Sequence, residues 1–270
     1  MKILCVSDQI DPLIYSSNAK KNFADIDLVL CAGDLPLDYL DFIASVLNKP
    51  VYFIFGNHDL KEYKYYHSSH DTSSKAARSV NQLASNSLTR TKAIDSHSHG
   101  AVYAGFKVLA NNSFLLKNPR TGKKTPLLIA GASGSRKYNN GLCQFTETQM
   151  RLKLLALIPQ LVYNKIRYGR YLDIFLTHAS PLNIHDAKDR CHIGFDSFNW
   201  FIKRFCPSYM IHGHIHLYDQ REERIGKYWN TIVVNAYAHC VIEFPVQASE
   251  KEKQNISQQN ITSDSNTGDV

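Results

Sequence analysis

The sequence predicts an α/β fold, and three features carry that prediction. Short apolar runs rich in β-branched and aromatic residues stand at 2–7 (KILCVS), 28–32 (LVLCA) and 51–55 (VYFIF), each the length of a buried strand. Between the last two, LDYLDFIASVLNK places apolar residues at helical spacing and stops at Lys49-Pro50. Strand, loop, strand, helix, strand opens a mostly parallel sheet. Further strand-like runs follow at 101–104, 107–110, 127–130, 171–178, 209–216, 231–235 and 239–244.

The remaining elements follow in chain order. Residues 60–100 turn polar, rich in Ser, His, Lys and Tyr, and read as an insertion, part helix (KAARSVNQLA) and part loop. One helix is expected from about Thr146 to Val162, and DSFNWFIKRF (196–205) reads as an amphipathic helix. The folded domain is expected to span 1–246. From Gln247 the chain holds almost nothing to bury, so 247–270 reads as a disordered tail.

Composition narrows the class. At 270 residues, 44% hydrophobic and 20% charged, the chain is an ordinary globular protein able to bury a sizeable core. A net charge of +7 suits anionic substrates such as phosphate esters. Nucleic acid is allowed but not favoured, because the nearest thing to a basic run is RTGKK at 120–124. Six cysteines show no C-x-x-C pair, and Cys5 and Cys31 lie inside strands, where thiols behave as small hydrophobes. A strand beginning at residue 2 leaves no room for an export signal, and no apolar run nears the roughly 20 residues of a membrane span. A cytoplasmic, reduced protein without membrane attachment is expected.

The chemistry sits at the strand ends. Asp8 follows the first strand, Asp34 (AGD) the second, and Asn57 and His58 (FGNHD) the third. His178 (LTHASP) and then His214 and His216 (HGHIH) follow later ones, and Gly33, Gly56 and Gly213 allow sharp turns beside three of them. A single Asp or Asn there is ordinary turn chemistry. Three histidines in the same kind of position are not.

In this order the motifs resemble the calcineurin-like metallophosphoesterases, whose pattern runs D-x-H, G-D, G-N-H-D/E, H, G-H-x-H. Here it stands as Asp8-Gln9-Ile10, Gly33-Asp34, Gly56-Asn57-His58-Asp59, His178 and Gly213-His214-Ile215-His216, over residues 1 to about 244. The resemblance implies a four-layer α/β/β/α sandwich of two mixed sheets flanked by helices. It also implies hydrolysis of a phosphate mono- or diester by a hydroxide bridging two divalent metals, Mn, Fe or Zn suiting the mixed N and O ligands. Asp34 would bridge the metals, Asn57, His178 and His214 would complete one, and Asp8 and His216 would hold the other. His58 would be the general acid. Ile10 replaces the D-x-H histidine, so the Asp8 position is expected to be weaker, with Asp11 either lending a carboxylate or forming a plain turn. Loss of that histidine also opens an alternative: a degenerate scaffold that serves as a binding module. Asp38 or Asp59 could orient His58, and Arg136, His185, Asp186 and His192 could line the substrate side. His67-x-x-His70 and His97-Ser98-His99 read as solvated loop.

Overall fold

The structure, a computed structural model, describes residues 1–59, 100–118, 121–219 and 222–244. Most of the polar insertion and the tail lie outside the described residues, so the domain boundary at 246 does too. Thirteen strands and five helices are described, and nearly every predicted strand is present.

The first sheet has the order β13-β1-β2-β3-β4. β1 (Lys2–Ser7), β2 (Leu28–Cys31), β3 (Val51–Phe53) and β4 (Ala101–Tyr103) run parallel, and β13 (Ala238–Glu243) closes the edge antiparallel to β1. The second has the order β11-β12-β10-β9-β6-β5. Its core is parallel: β6 (Lys124–Ala132), β9 (Ile174–Thr177), β10 (Tyr209–His212) and β12 (Thr231–Asn235). β5 (Val108–Lys117) and β11 (Ile225–Tyr228) flank it antiparallel. β7 (Ser135–Arg136) and β8 (Gln144–Phe145) form a small separate pair.

Strand alternation builds the layers. Ile3, Cys5, Leu28 and Leu30 of one sheet meet Leu127, Ile129, Ile174, Leu176 and Ile211 of the other in a buried inter-sheet core. Their neighbours point outward. Leu4, Val6 and Val29 join Leu40, Ile43 and Leu47 of α2 (Leu37–Leu47), with the short α1 (Ala19–Asn22) alongside. On the far side Phe175 stacks on Phe201 of α5 (Asp196–Phe205), ring centroids 4.4 Å apart, beside α3 (Glu147–Leu155) and α4 (Ile158–Tyr168). This is the expected pair of mixed sheets between helices.

Three strands, β7, β8 and β11, lie outside the runs expected from the sequence, and two further details differ. The single helix expected over Thr146–Val162 is two, because Pro159 lacks an N–H and starts a new helix instead of continuing the old one. Thr146 caps the first of them in a reciprocal capping box with Gln149. β5 runs on to Lys117, past a bulge between Asn111 and Leu115 whose polar residues disguised the strand.

One buried ion pair fixes the entry to β9. Asp173 accepts from the backbone N–H of Leu128 at 2.8 Å and from Arg170 Nε at 2.5 Å. The same guanidinium donates to Thr125 Oγ1 at 2.6 Å and to the Pro126 carbonyl at 2.7 Å. Burial pushes the Asp173 carboxyl up despite Arg170. Arg170→Ala leaves that carboxylate buried and unpaired, so it should lower the unfolding free energy by about 3–5 kcal/mol in urea titration. Asp173→Asn, which keeps an acceptor for Leu128, should cost less.

Candidate metal centre

The C-terminal ends of β1, β2, β3, β9 and β10 meet at one edge of the sandwich. Asp8, Asp34 and His214 leave their strands with φ of 63°, 55° and 66°. That left-handed backbone costs a non-glycine residue energy and is tolerated best by Asp, Asn and His. Gly33 (φ 96°) has no choice: a Cβ there would stand 2.5 Å from Gly56 N and 2.8 Å from His178 Nδ1.

His178 is fully buried, and its Nδ1 lies 2.7 Å from the Ala32 carbonyl. A carbonyl only accepts, so Nδ1 carries the hydrogen and Nε2 faces the site. Asn57 Oδ1 stands 2.9 Å from Nε2 and Asp34 Oδ2 3.2 Å from it. The Asn57 amide is oriented by its Nδ2, which donates to Tyr138 Oη at 3.2 Å. His214 gives its Nε2 to the Cys191 carbonyl at 2.8 Å, which leaves Nδ1 for the site. Asp34, His178 and His214 thereby offer ligand atoms all within 4.8 Å of one another. Lone pairs meeting in a buried space require a cation. Without a metal, the proton on His178 serves: burial works against it, but the Asp34 carboxylate pushes the imidazole up to about 9. Asp34 in turn is drawn down to about 2 against its own desolvation. Burial, and then the charge of His178, press His214 down to about 4.

Asp8 and His216 flank this cluster. Asp8 Oδ2 accepts from the His214 N–H at 2.9 Å, and Oδ1 stands 3.8 Å from His216 Nε2. The His216 ring stacks on Tyr237 with centroids 4.8 Å apart, and Tyr218 Oη lies 2.8 Å from its Nδ1. His58 is exposed at the rim, its backbone N–H held by Asp34 Oδ1 at 2.8 Å. Once assembled, this edge presents an N/O donor set beside an exposed imidazole.

A family model for calcineurin-like phosphoesterases matches residues 1–218. The chain belongs to that family. Divalent-metal binding and cleavage of a phosphoester come with membership. The crystal structure of TT1561 of Thermus thermophilus is similar in fold, with 14% identity over 87% of this chain and 88% of that one and a TM-score of 0.52. A second crystal structure, 12% identical, aligns over 89% of this chain and 94% of its own at a TM-score of 0.54. No curated protein matches significantly. No helix among the described residues of this phosphoesterase is long and apolar enough to cross a membrane.

Several expected site residues prove to be braces. Asp59 Oδ2 accepts from the backbone N–H groups of Asp34 (2.9 Å) and Gly56 (2.7 Å), clamping two site loops together, and its oxygen is thus committed to backbone rather than to His58. Burial and the nearby Asp34 charge push its carboxyl up to about 6. Asp38 is exposed in the first turn of α2. Asp11 is a turn residue after all: Oδ1 caps the Leu13 N–H at 2.8 Å and Oδ2 pairs with His239 at 2.5 Å. Arg136 Nη1 donates to the Gly194 carbonyl at 3.2 Å, and Asp186 Oδ2 accepts from the Gly194 N–H at 3.1 Å, so both brace the chain at Gly194. His185 turns to His212, its Nδ1 2.9 Å from Nε2 of that fully buried ring. His192 stands beside the donor cluster, its ring 5.1 Å from His214. Tyr138, the Cys191 carbonyl, Tyr218 and Tyr237 were missed, and nothing local in the sequence marks them. His67, His70, His97 and His99 lie outside the described residues.

The Asp59 clamp has a measurable consequence. Asp59→Ala strands two backbone N–H groups and should cost roughly 2–4 kcal/mol of stability, read from the urea midpoint. Asp59→Asn, which retains an acceptor, should recover most of that loss.

Proposed function

We propose that this chain hydrolyses a phosphate mono- or diester, with Asp34, Asn57, His178 and His214 holding one divalent ion tightly. Asp8 and His216 hold a second ion weakly, and His58 is the general acid. The observation that carries this reading is the convergence of Asn57 Oδ1 (2.9 Å) and Asp34 Oδ2 (3.2 Å) on His178 Nε2, acceptor atoms with no donor among them when His178 is neutral. Imidazole nitrogen with carboxylate and amide oxygen fits Mn, Fe or Zn better than Ca. Bound ions of this kind polarise phosphoryl oxygens and draw the pKa of water toward about 7.

The residues of the chain supply the rest. The Asp59 clamp and the Ala32 and Cys191 carbonyls hold the donor atoms in place, so little ordering is left for the moment of reaction. His58, tethered through its own N–H to Asp34, stands with its ring free of the donor cluster. An imidazolium N–H there gives its proton to the departing alkoxide oxygen, a contribution of about 10²–10⁴-fold. His192, beside His214, adds an N–H donor suited to a phosphoryl oxygen. The substrate is an anion approaching a chain of net charge +7.

Metal analysis of the purified protein, with a screen of aryl and alkyl phosphate mono- and diesters, tests the proposal. About one tightly held ion is expected, with activity rising as Mn²⁺ is added, because the Asp8 position lacks the imidazole that Ile10 replaces. Ile10→His should tighten the second site and reduce that dependence. His58→Ala should leave metal content intact while lowering turnover about 10²–10⁴-fold, most severely for alkyl esters, whose leaving groups need the proton. Protein without bound ion or response to any divalent metal would instead favour a binding module, the reading that Ile10 supports.

A further inference from the structure

Cys5 and Cys240 face each other across the first and last strands of the described fold. They are register partners in the antiparallel β1–β13 ladder. Residues directly opposed in such a ladder have Cα atoms about 4.5 or 5.5 Å apart, and a disulfide accepts about 4.4–6.8 Å, so either kind of pair is in range. Partners in register point to the same face of the sheet. Here that face is the inner one: Cys5 is part of the inter-sheet core, and Cys240 packs against it while remaining partly accessible. Cys31, also buried, has Val6 and Phe53 as its register partners and no such opportunity.

The surroundings make the two sulfurs unequal. Arg224 Nη1 donates to the carbonyls of Asn235 (2.8 Å) and Tyr237 (3.0 Å), and Cys240 Sγ lies 3.9 Å from that same Asn235 oxygen. A guanidinium thus stands beside one thiol of the pair. A hydrogen bond from the Cys5 thiol, together with the Arg224 charge, holds Cys240 below the usual thiol range, and the same hydrogen bond with burial holds Cys5 well above it. A partly accessible thiol with a lowered pKa, set directly across the ladder from a buried thiol, is the arrangement of an attacking and a resolving cysteine.

We propose that Cys5 and Cys240 form a reversible dithiol–disulfide site, oxidised by a peroxide. The Cys240 thiolate attacks one peroxide oxygen, the O–O bond breaks, hydroxide leaves, and Cys240 becomes a sulfenic acid. The Cys5 sulfur then attacks the Cys240 sulfur and the S–O bond breaks. The hydroxyl departs as water with the Cys5 proton. Two thiols are oxidised by two electrons in all, and one peroxide is reduced. The bond ties β13 to the strand that delivers Asp8 and closes almost the whole described fold into one covalent loop.

Hydrogen peroxide treatment of the full chain tests this, with thiols alkylated before and after reduction and the peptides mapped by mass. The expected product is a cross-linked peptide pair holding Cys5 and Cys240. It should raise Tm on the order of 5–10 °C, because a long loop is closed in the unfolded chain, and dithiothreitol should reverse both changes. Cys240→Ser should show neither change. Cys5→Ser should leave a Cys240 sulfenic acid that dimedone traps. The proposal is overturned if oxidised wild-type protein, once unfolded, still yields Cys5 fully alkylatable. It is equally overturned if Cys240 proceeds to sulfinic acid or pairs with Cys191 or Cys206 instead.

Discussion

The hydrogen bond between His178 and the Ala32 carbonyl joins the two sheets at the edge where the site forms. Ala32 follows β2 of the first sheet and His178 follows β9 of the second, and the contact is 2.7 Å in a fully buried position. Asp34 and Asn57 come from the first sheet, His178 and His214 from the second, so no donor set exists unless the sheets meet in this register. The inter-sheet core beneath, from Ile3 to Ile211, sets their spacing. Gly33 sets the closest approach, since any side chain there would strike the Gly56 backbone and the His178 ring. Packing, backbone and ligand geometry are therefore one constraint.

Charge follows from that geometry. Desolvation alone would make Asp34 neutral and His178 unprotonated. Each reverses the other's tendency, Asp34 falling to about 2 and His178 rising to about 9. His214, buried next to a positive His178, goes the other way, to about 4, and keeps a lone pair for the site. The protein has committed a buried carboxylate to a place where positive charge must be present. A divalent ion meets that demand better than a proton does, because it satisfies all the acceptors at once rather than one of them. The strained backbones of Asp8, Asp34 and His214 belong to the same account: local strain is held in place by the surrounding fold so that donors point inward.

Much of this was legible in the sequence. Strand-end placement of Asp8, Asp34, Asn57, His178 and His214 follows from apolar runs ending in polar residues, and those five converge as the strand pattern implies. What could not be read were contacts set by distant chain segments. Asn57 is oriented by Tyr138, 81 positions away, and His214 is held by the Cys191 carbonyl, 23 positions away. Arg136 has the right chemistry for a phosphate, but one of its donors goes to the Gly194 carbonyl while Asp186 takes the Gly194 N–H. Side-chain type was visible, whereas partner identity was not. The same limit explains the helix that breaks at Pro159 and the strand that runs through Asn111-Asn112-Ser113: a local pattern yields to one missing donor or one bulge.

Ile10 shows how far a single substitution reaches. It stands 41% exposed two residues past Asp8, with no donor atom to offer. The nearest carboxylate that could compensate, Asp11, is drawn the other way by His239 and by its own turn. The two halves of the site are consequently unlike. Around His178 every donor is buried and fixed by a second bond. Around Asp8 one partner is His216, whose side chain is 41% exposed and leans on Tyr237 and Tyr218 rather than on the sheet. The donors around His178 are rigid and several, whereas buried Asp8 is joined on its side, among the described residues, only by the accessible His216. Under the function proposed above, that asymmetry would leave the Asp8 side for the incoming phosphate, because the chain offers fewer donor atoms there.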